Sequence, residues 1–254
     1  EGLKAGLELE MPTSNGINDR EIIAAVKDGS LDEAVLDRAV ERILRIVFLY
    51  WDNREEQEFA LEADHALAKK IAEESMVLLK NDNVLPLNKN EKIAVIGEFA
   101  VKPRFQGGGS SHINSFKISS LMDALKEYEN VTYIKGFSAD EDCYEETLAQ
   151  EALNAAKSAD KVVICAGLPD SFESEGYDRS HMHLPECQNR LIHEITAVQP
   201  ETIVVLHNGS PVEMPWLSDV KGLLEAYLGG QAVGEAVADI LFGNVNPSGK
   251  LAET

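Results

Sequence analysis

The sequence has little of what several protein classes require. Its 254 residues include three cysteines, Cys143, Cys165 and Cys187. An odd number at such wide spacing fits neither a disulfide framework nor a CxxC metal pair. The histidines occur singly or as the pair His181 and His183, without a third ligand at metal-binding spacing, so we expect no metal site. Reduced thiols favour a cytoplasmic location.

Long apolar runs and an excess of basic charge are also missing. No stretch approaches the roughly 20 apolar residues that cross a bilayer, and no basic leader followed by an apolar run opens the chain. The formal net charge of −21 at pH 7 repels polyanions and anionic headgroups, which argues against nucleic-acid and membrane partners. A neutral ligand fits this acidic surface better. The 44% of apolar and 26% of charged residues are typical of a folded globular chain.

The first sixty residues predict a helix that lacks a core of its own. In "DGSLDEAVLDRAVERILRIVFLYW", Ser30 is the expected N-cap, and Glu33 follows three residues later at the spacing of a capping box. Apolar residues then recur at helical spacing, at Leu36, Val40, Ile43 and Val47. Such a face needs another surface to cover it.

A second helix is predicted over "ADHALAKKIAEESMVLLKND", ending at Asn81. Its expected face consists of Ala66, Ile71, Ser75 and Leu78. Both helices are typical of the end of a larger structure.

From Lys92 onward, short apolar runs alternate with helical segments. The runs are "KIAVIG", "VTYIK", "KVVICAG", "TIVVLH" and "GLLEAYL", and helices are expected around 119–127, 144–159, 185–199 and 231–242. This alternation predicts an α/β sandwich, a mostly parallel sheet of five or six strands flanked by helices. Ligands bind beyond the carboxyl ends of such strands, where two glycine-bearing loops, "RFQGGGSSHINS" and "ESEGYDR", are placed.

The glycine run of the first loop invites comparison with phosphate-binding loops. A Walker A motif needs Lys-Ser/Thr after its last glycine, but Ser110, Ser111 and His112 stand there. A dinucleotide fingerprint should open directly from the first strand, where the sequence is "VIGEFA". A nucleotide site is therefore a weak alternative, and a flexible turn without a ligand also stays open.

Glu173 and Glu175 in the second loop allow two interpretations. Residue chemistry alone favours an acidic surface loop, the common fate of glutamates in so charged a chain. Against it, a glutamate after a buried strand can be held partly out of water, which raises its pKa and suits a general acid. Asp178 and Arg179 are expected to pair and brace the loop.

Other polar residues are assigned more briefly. Structural roles are expected for the histidines in helix or strand contexts, His65, His193 and His207, whereas His112 and His181 in the two loops stay open. Asn208 and Gly209 predict a turn. Glu213 and Trp216 after it would either line a pocket or pack.

Seven stretches, read in order, resemble the β-glucosidases of glycoside hydrolase family 3. They are "AGLELEMP", "DGSLDEAVLDRAVERIL", "AEESMVLLKNDNVLPL", "GGGSS", "ESEGYDRSHMHLP", "NGSPVEMPW" and "YLGGQAVGEAVADILFGNVNPSGKL". The likeness covers nearly the whole chain, and the last stretch is very specific.

The resemblance implies a domain plan. Family members have an N-terminal (β/α)8-like barrel followed by an (α/β)6-type sandwich, with the active site between them. Residues 1–60 are then a helical remnant of the barrel end with its linker, and 61–254 are the sandwich domain, packing against its own barrel.

The resemblance also implies a retaining exo-acting enzyme that removes terminal β-linked glucosyl residues. Retention uses two carboxyl groups, a nucleophile and an acid/base. The family's nucleophile is an aspartate in a Ser-Asp-Trp-type motif upstream of "AGLELEMP", and no residue here matches it. The acid/base falls on Glu175, with Glu173 as second choice. A fragment of this kind is expected to be inactive alone.

Four further residues are implied in substrate binding. Ser110 matches a position that contacts the sugar in the first subsite, and Arg104, Phe105 and Ser111 would shape the entrance. The implied ligand is a small oligosaccharide or an aryl or alkyl β-glycoside, with no cofactor. A β-xylosidase of the same family and a non-catalytic carbohydrate-binding module are the alternatives, and self-association into a homo-oligomer would be another way to cover exposed apolar helices.

Overall fold

A computed structural model describes residues 1–55, 58–176 and 178–253. The chain divides into two compact units, Glu1–Phe59 and Ala60–Thr254. In the part of the chain so described, no helix combines the length and the apolar character that a membrane crossing needs.

The first unit consists of helices. A short 3-10 helix covers Leu3–Ala5, and two α-helices follow, α1 at Ile17–Asp28 and α2 at Glu33–Asp52. The prediction of Ser30 as the N-cap of α2 is wrong. Asp32 is extended and its carboxylate accepts the N–H of Ala34 at 3.0 Å, so it satisfies a free donor of the first turn.

Most of the apolar face of α2 is exposed within its own unit. Ala39 is buried, whereas the later apolar residues are between 43% and 66% exposed, at Leu44, Ile46, Val47, Phe48, Leu49, Tyr50 and Trp51. This exposure agrees with the prediction that the apolar face of α2 needs another surface to cover it.

The second unit is built on a six-stranded sheet. Its strands are β1 (Val77–Asn81), β2 (Ile93–Ile96), β3 (Val131–Ile134), β4 (Lys161–Gly167), β5 (Thr202–His207) and β6 (Gly222–Glu225). Their order is β1-β6-β5-β4-β2-β3, with β1 antiparallel to β6 and the other neighbours parallel. Strands β2, β5 and β6 are buried throughout, which is why they appear in the sequence as continuous apolar runs.

Helices flank this sheet in two groups. The helices α3 (Leu61–Ser75) and α4 (Leu121–Ala124) contact α7 (Val233–Leu241), while α5 (Glu146–Ser158) contacts α6 (Glu186–Val198). A 3-10 helix covers Glu98–Ala100. The predicted α/β sandwich with a mostly parallel sheet is confirmed.

The predicted second helix extends too far and presents the wrong face. It ends at Ser75, Met76 is extended and buried, and Val77–Asn81 pair with β6 as an edge strand. The buried face of α3 contains His65 and Ala72, whereas Ile71 is 56% exposed. Pairing with β6 overrides the helix-forming composition of this segment.

The order of the strands fixes where loops meet. After β2 the chain places β3 on one side of it, and then places β4 on its other side. The sheet therefore changes its winding direction between β2 and β4, and the loops that leave the carboxyl ends of these two strands lie side by side at the switch point.

Candidate active site

The two glycine-bearing loops meet as the switch-point geometry requires. A parallel bridge joins Gly108 of the loop after β2 to Ser174 of the loop after β4. The N–H of Glu175 donates to the carbonyl of Gly108 at 3.4 Å. Residues far apart in the sequence thereby form one small site.

Glu175 is held at the tip of this site by Ser110. Its Oε2 accepts the backbone N–H of Ser110 at 2.7 Å. The Ser110 hydroxyl and this N–H lower the pKa of Glu175. The expectation that Glu175 is kept partly out of water with a raised pKa is wrong for this chain, because the residue is exposed and the donors stabilise its charged form.

Gly109 explains the glycine run of the first loop. Its φ is +94°, and a Cβ there would lie 2.6 Å from the Cβ of Glu175. A side chain is excluded both by backbone conformation and by the close approach of the second loop. Packing between the loops therefore accounts for this glycine without a phosphate.

Glu173 has a different environment from Glu175. Its Oε2 accepts the Nη1–H of Arg104 and, at 2.9 Å, the N–H of Gly209 in the loop after β5. Burial pushes its pKa up, but the hydrogen bonds from Ser210, Gly209 and Arg104 outweigh it and lower the pKa. Glu173 is thus an ionised brace that joins three strand-end loops.

Arg104 is the cation of this brace. It is 7% exposed, and all three guanidinium nitrogens are engaged. Nε donates to Asp170 Oδ1 at 3.2 Å, Nη1 to the Glu173 carboxylate, and Nη2 to the Glu173 carbonyl at 2.8 Å. The structure places Arg104 inside the loop junction, and its role at the substrate entrance stays a prediction.

The other predicted binding residues lie on the same loop. Phe105 is partly buried against the core, and its carbonyl accepts the N–H of Gly230 at 2.9 Å. Ser110 and Ser111 are exposed, and the Ser111 hydroxyl donates to the carbonyl of Gly107 at 2.9 Å. Ser110 and Ser111 are therefore accessible beside Glu175, whereas Phe105 supports the loop from below.

Two expectations about neighbouring loops need correction or refinement. Arg179 donates to the carbonyl of Pro211 at 2.6 Å instead of bracing Asp178. Trp216 is buried and donates to Asn189 Oδ1 at 3.0 Å, so it packs. The side chain of Arg179 thereby ties the loop after β4 to the one after β5.

The histidines occupy varied environments. His65 is buried between Glu235 and Gln231, and His207 is buried with no hydrogen-bond partner at Nδ1 among the described residues. His112 Nε2 lies 3.5 Å from Asp170 Oδ2. Among residues 1–55, 58–176 and 178–253, no group of three or more metal-ligating side chains is arranged to hold an ion.

Sequence reasoning missed Glu225 at the end of β6. It is 5% exposed, its Oε2 lies 3.3 Å from Asn208 Nδ2, and its Oε1 accepts the N–H of Tyr227 at 3.0 Å. Burial, with Glu173 nearby, raises its pKa to about 7. The available signal was a single acidic residue within the apolar run "GLLEAYL".

Comparison with known proteins adds a family to this geometry. Residues 76–254 match the Glycosyl hydrolase family 3 C-terminal domain. The chain is 55% identical over 259 residues to Thermostable beta-glucosidase B of Acetivibrio thermocellus, covering 100% of this chain and 34% of that protein. It is 42% identical to an Exo-alpha-(1->6)-L-arabinopyranosidase of Bifidobacterium longum, covering 99% and 35%.

A solved structure agrees with these relatives. The crystal structure of the GH3 beta-glucosidase of Bifidobacterium adolescentis superposes with a TM-score of 0.92 at 43% identity, covering 99% of this chain and 38% of that one. The chain thus spans about a third of the length of the relatives it matches.

Proposed function

Because the chain belongs to glycosyl hydrolase family 3, we propose that it supplies the acid/base half of the active site of a retaining, exo-acting β-glucosidase. The observation that carries the proposal is the position of Glu175 at the sheet's switch point, held by the N–H of Ser110 at 2.7 Å. In this plan, residues 1–60 are the end of the catalytic barrel and 61–254 are the sandwich domain that packs against it.

The proposed reaction needs a second carboxyl group. Glu175 would protonate the glycosidic oxygen while a barrel carboxylate attacks the anomeric carbon, and would then deprotonate the water that releases the sugar. The two groups in retaining enzymes are about 5–5.5 Å apart. The nucleophile is assigned to the part of the relatives that this chain does not cover.

The choice of Glu175 over Glu173 rests on how their oxygens are used. The Glu173 carboxylate is engaged by Arg104, Gly209 and Ser210, which hold it charged and unable to donate a proton. Glu175 is exposed and engaged only on the side of Ser110 in the contacts described. It is therefore the glutamate with room to approach a glycosidic oxygen.

A general acid must carry a proton, whereas Ser110 lowers the pKa of Glu175 in this chain. Covering the site with a barrel and a sugar would remove water from Glu175, and a nearby nucleophile carboxylate would add a like charge. Both effects raise a carboxyl pKa. The proposal thus assigns the protonated state of Glu175 to the assembled enzyme.

The remaining predicted residues receive roles by position. Ser110 and Ser111, exposed beside Glu175, are proposed to contact the sugar and the entrance. Arg104 and Phe105 are proposed to support the loop instead. The guanidinium donors of Arg104 are already bonded to Asp170 and Glu173, and Phe105 packs on the core. The arabinopyranosidase relative favours keeping pentopyranosides, xylosides included, as the alternative substrates.

The test is Glu175→Ala in the full-length protein that contains this chain, assayed with aryl β-glucosides. Loss of a general acid/base should lower kcat by about 10²–10⁴, with a smaller loss for leaving groups that need no proton. Azide should restore turnover and give a glycosyl azide. Glu186→Ala, which removes an exposed glutamate of α6, is the matched control. Unchanged turnover in Glu175→Ala would contradict the assignment and favour a non-catalytic carbohydrate-binding module.

A further inference from the structure

The buried carboxyl group of Glu225 lies close to the partly buried Glu173. Glu225 is the last residue of β6 and is 5% exposed. Its hydrogen-bond partners in the described chain, the Tyr227 N–H at 3.0 Å and Asn208 Nδ2 at 3.3 Å, are neutral groups. A carboxylate at this position would be a buried charge without a cation beside it, which is costly.

Asn208 connects Glu225 to the brace. Its Nδ2 also donates to the carbonyl of Ser210 at 3.1 Å, which shapes the turn after β5. The middle residue of that turn, Gly209, donates its N–H to Glu173 at 2.9 Å. A Cβ on Gly209 would lie 2.8 Å from Glu173 Oε1, so the turn and the carboxylate are in close contact.

The charges around Glu225 favour its neutral form. Burial raises its pKa to about 7, and the Glu173 carboxylate adds to the shift. Arg104, the cation bonded to Glu173, is already engaged there. Burial raises the pKa of Tyr227, beyond β6, and lowers the pKa of His207, on β5, to about 4. Both are therefore neutral near pH 7, and neither compensates a charge on Glu225.

We propose that Glu225 is a positioning residue of the loop that carries Glu173 and Glu175. Its carboxyl group accepts the Nδ2–H of Asn208, which shapes the following turn. Ionisation strengthens that hydrogen bond but places a second negative charge near Glu173, and the repulsion releases the turn from Glu173. A second negative charge in the same buried cluster would repel Glu173 and draw water to Glu225, which opens the contact that Gly209 makes. The catalytic value of the loop rests on the function proposed above, whereas the coupling itself concerns this chain alone.

The test measures hydrogen exchange of the Gly209 amide by NMR in the 254-residue chain. If opening returns Glu225 to its ordinary pKa of 4.5 from about 7, opening becomes more favourable as the pH rises between these values. The protection factor of Gly209, corrected for intrinsic exchange, should then fall by up to about 40-fold from pH 5 to pH 7 and level off above. The carboxyl carbon of Glu225, followed in the unmodified chain, should titrate near pH 7.

Two variants separate positioning from a merely structural role. Glu225→Gln cannot ionise and should show no such pH dependence at Gly209. Glu98→Gln is the matched control, since Glu98 is also a buried glutamate, 6% exposed, but bonded to Lys102. It should keep the wild-type pH dependence.

Two results would overturn the proposal. One is a Glu225 carboxyl group that titrates near 4.5, and the other is a Gly209 protection factor with the same pH course in wild type and Glu225→Gln. Neither result depends on glycosidase activity, so the proposed function would stand in both cases. Conversely, an unaffected Glu175→Ala enzyme would leave the coupling intact.

Discussion

Replacing His207 by glutamine should change how acid destabilises the chain. His207 ends β5 and is 3% exposed, and its Nδ1 has no hydrogen-bond partner in the part of the chain that the structure describes. Burial lowers its pKa from 6.5 to about 4. At about 1.36 kcal/mol per pKa unit, this difference corresponds to roughly 3 kcal/mol.

The sign of this contribution follows from proton uptake. Below pH 6.5 the unfolded chain binds a proton at His207 that the folded chain does not bind until about pH 4. The free energy of unfolding of the wild type therefore falls by about 3 kcal/mol from pH 6.5 to pH 4 through this group. Glu225, with its raised pKa, acts in the opposite direction over pH 4.5 to 7, so the two contributions partly cancel in the raw profile.

The assay is urea unfolding followed by circular dichroism at half-unit steps from pH 4 to pH 7.5. Subtracting the unfolding free energy of the His207→Gln variant from that of the wild type removes every group that the two chains share. The difference should be constant above pH 7 and should become about 3 kcal/mol less favourable to the wild type by pH 4. A flat curve for His207→Gln would refute the reasoning.

Two further predictions concern the loop junction. Arg104→Met leaves the Glu173 carboxylate without the cation bonded to it and should lower the free energy of unfolding by about 3 kcal/mol at pH 7. Urea unfolding should show that this loss becomes smaller below pH 4.5, because Glu173 takes up a proton. Gly109→Ala combines a φ of +94° with a 2.6 Å approach to Glu175, so carboxyl NMR should show the Glu175 pKa rising towards its ordinary value. Gly176→Ala, with a φ of +96° but open space, carries the backbone strain alone and should leave that pKa lowered.

The central strands could be predicted from sequence because their burial requires a continuous run of apolar residues. Strands such as β2 and β5 are buried on both faces, and this produces runs like "KIAVIG" and "TIVVLH" that need no knowledge of partners. Strand β1 has no such apolar run. It lies at the edge, three of its residues are half-buried, and its pairing with β6 decides its conformation. The cap of α2 was missed for a similar reason, since Ser30 and Asp32 are both suitable caps and backbone geometry selects one.

The site was predictable only as far as loops leave strand ends. The sequence places "RFQGGGSS" and "ESEGYDR" after β2 and β4, but the adjacency of these strands is a property of the sheet. The different states of Glu173 and Glu175 depend on Arg104, 69 residues from Glu173, and on Ser110, 65 residues from Glu175. No local sequence pattern contains such pairings, and so residue chemistry alone could not assign different roles to Glu173 and Glu175.

The two glutamates of this loop show how one short segment can hold both a fixed and an available carboxylate. Glu173 is joined to the loops after β2 and β5, and Asn208 extends the junction to Glu225 on β6. The loop is therefore anchored to the rigid carboxyl ends of parallel strands, which allows its tip to be exposed without being undefined. The exposure of Glu175 beside this ionic junction suits the proton-transfer role proposed for it, in which a second domain would supply the low-dielectric wall. If Glu173 were the reacting group instead, the proton transfer would have to break the contacts that hold the loop, and this chain gives that glutamate three donors that oppose it.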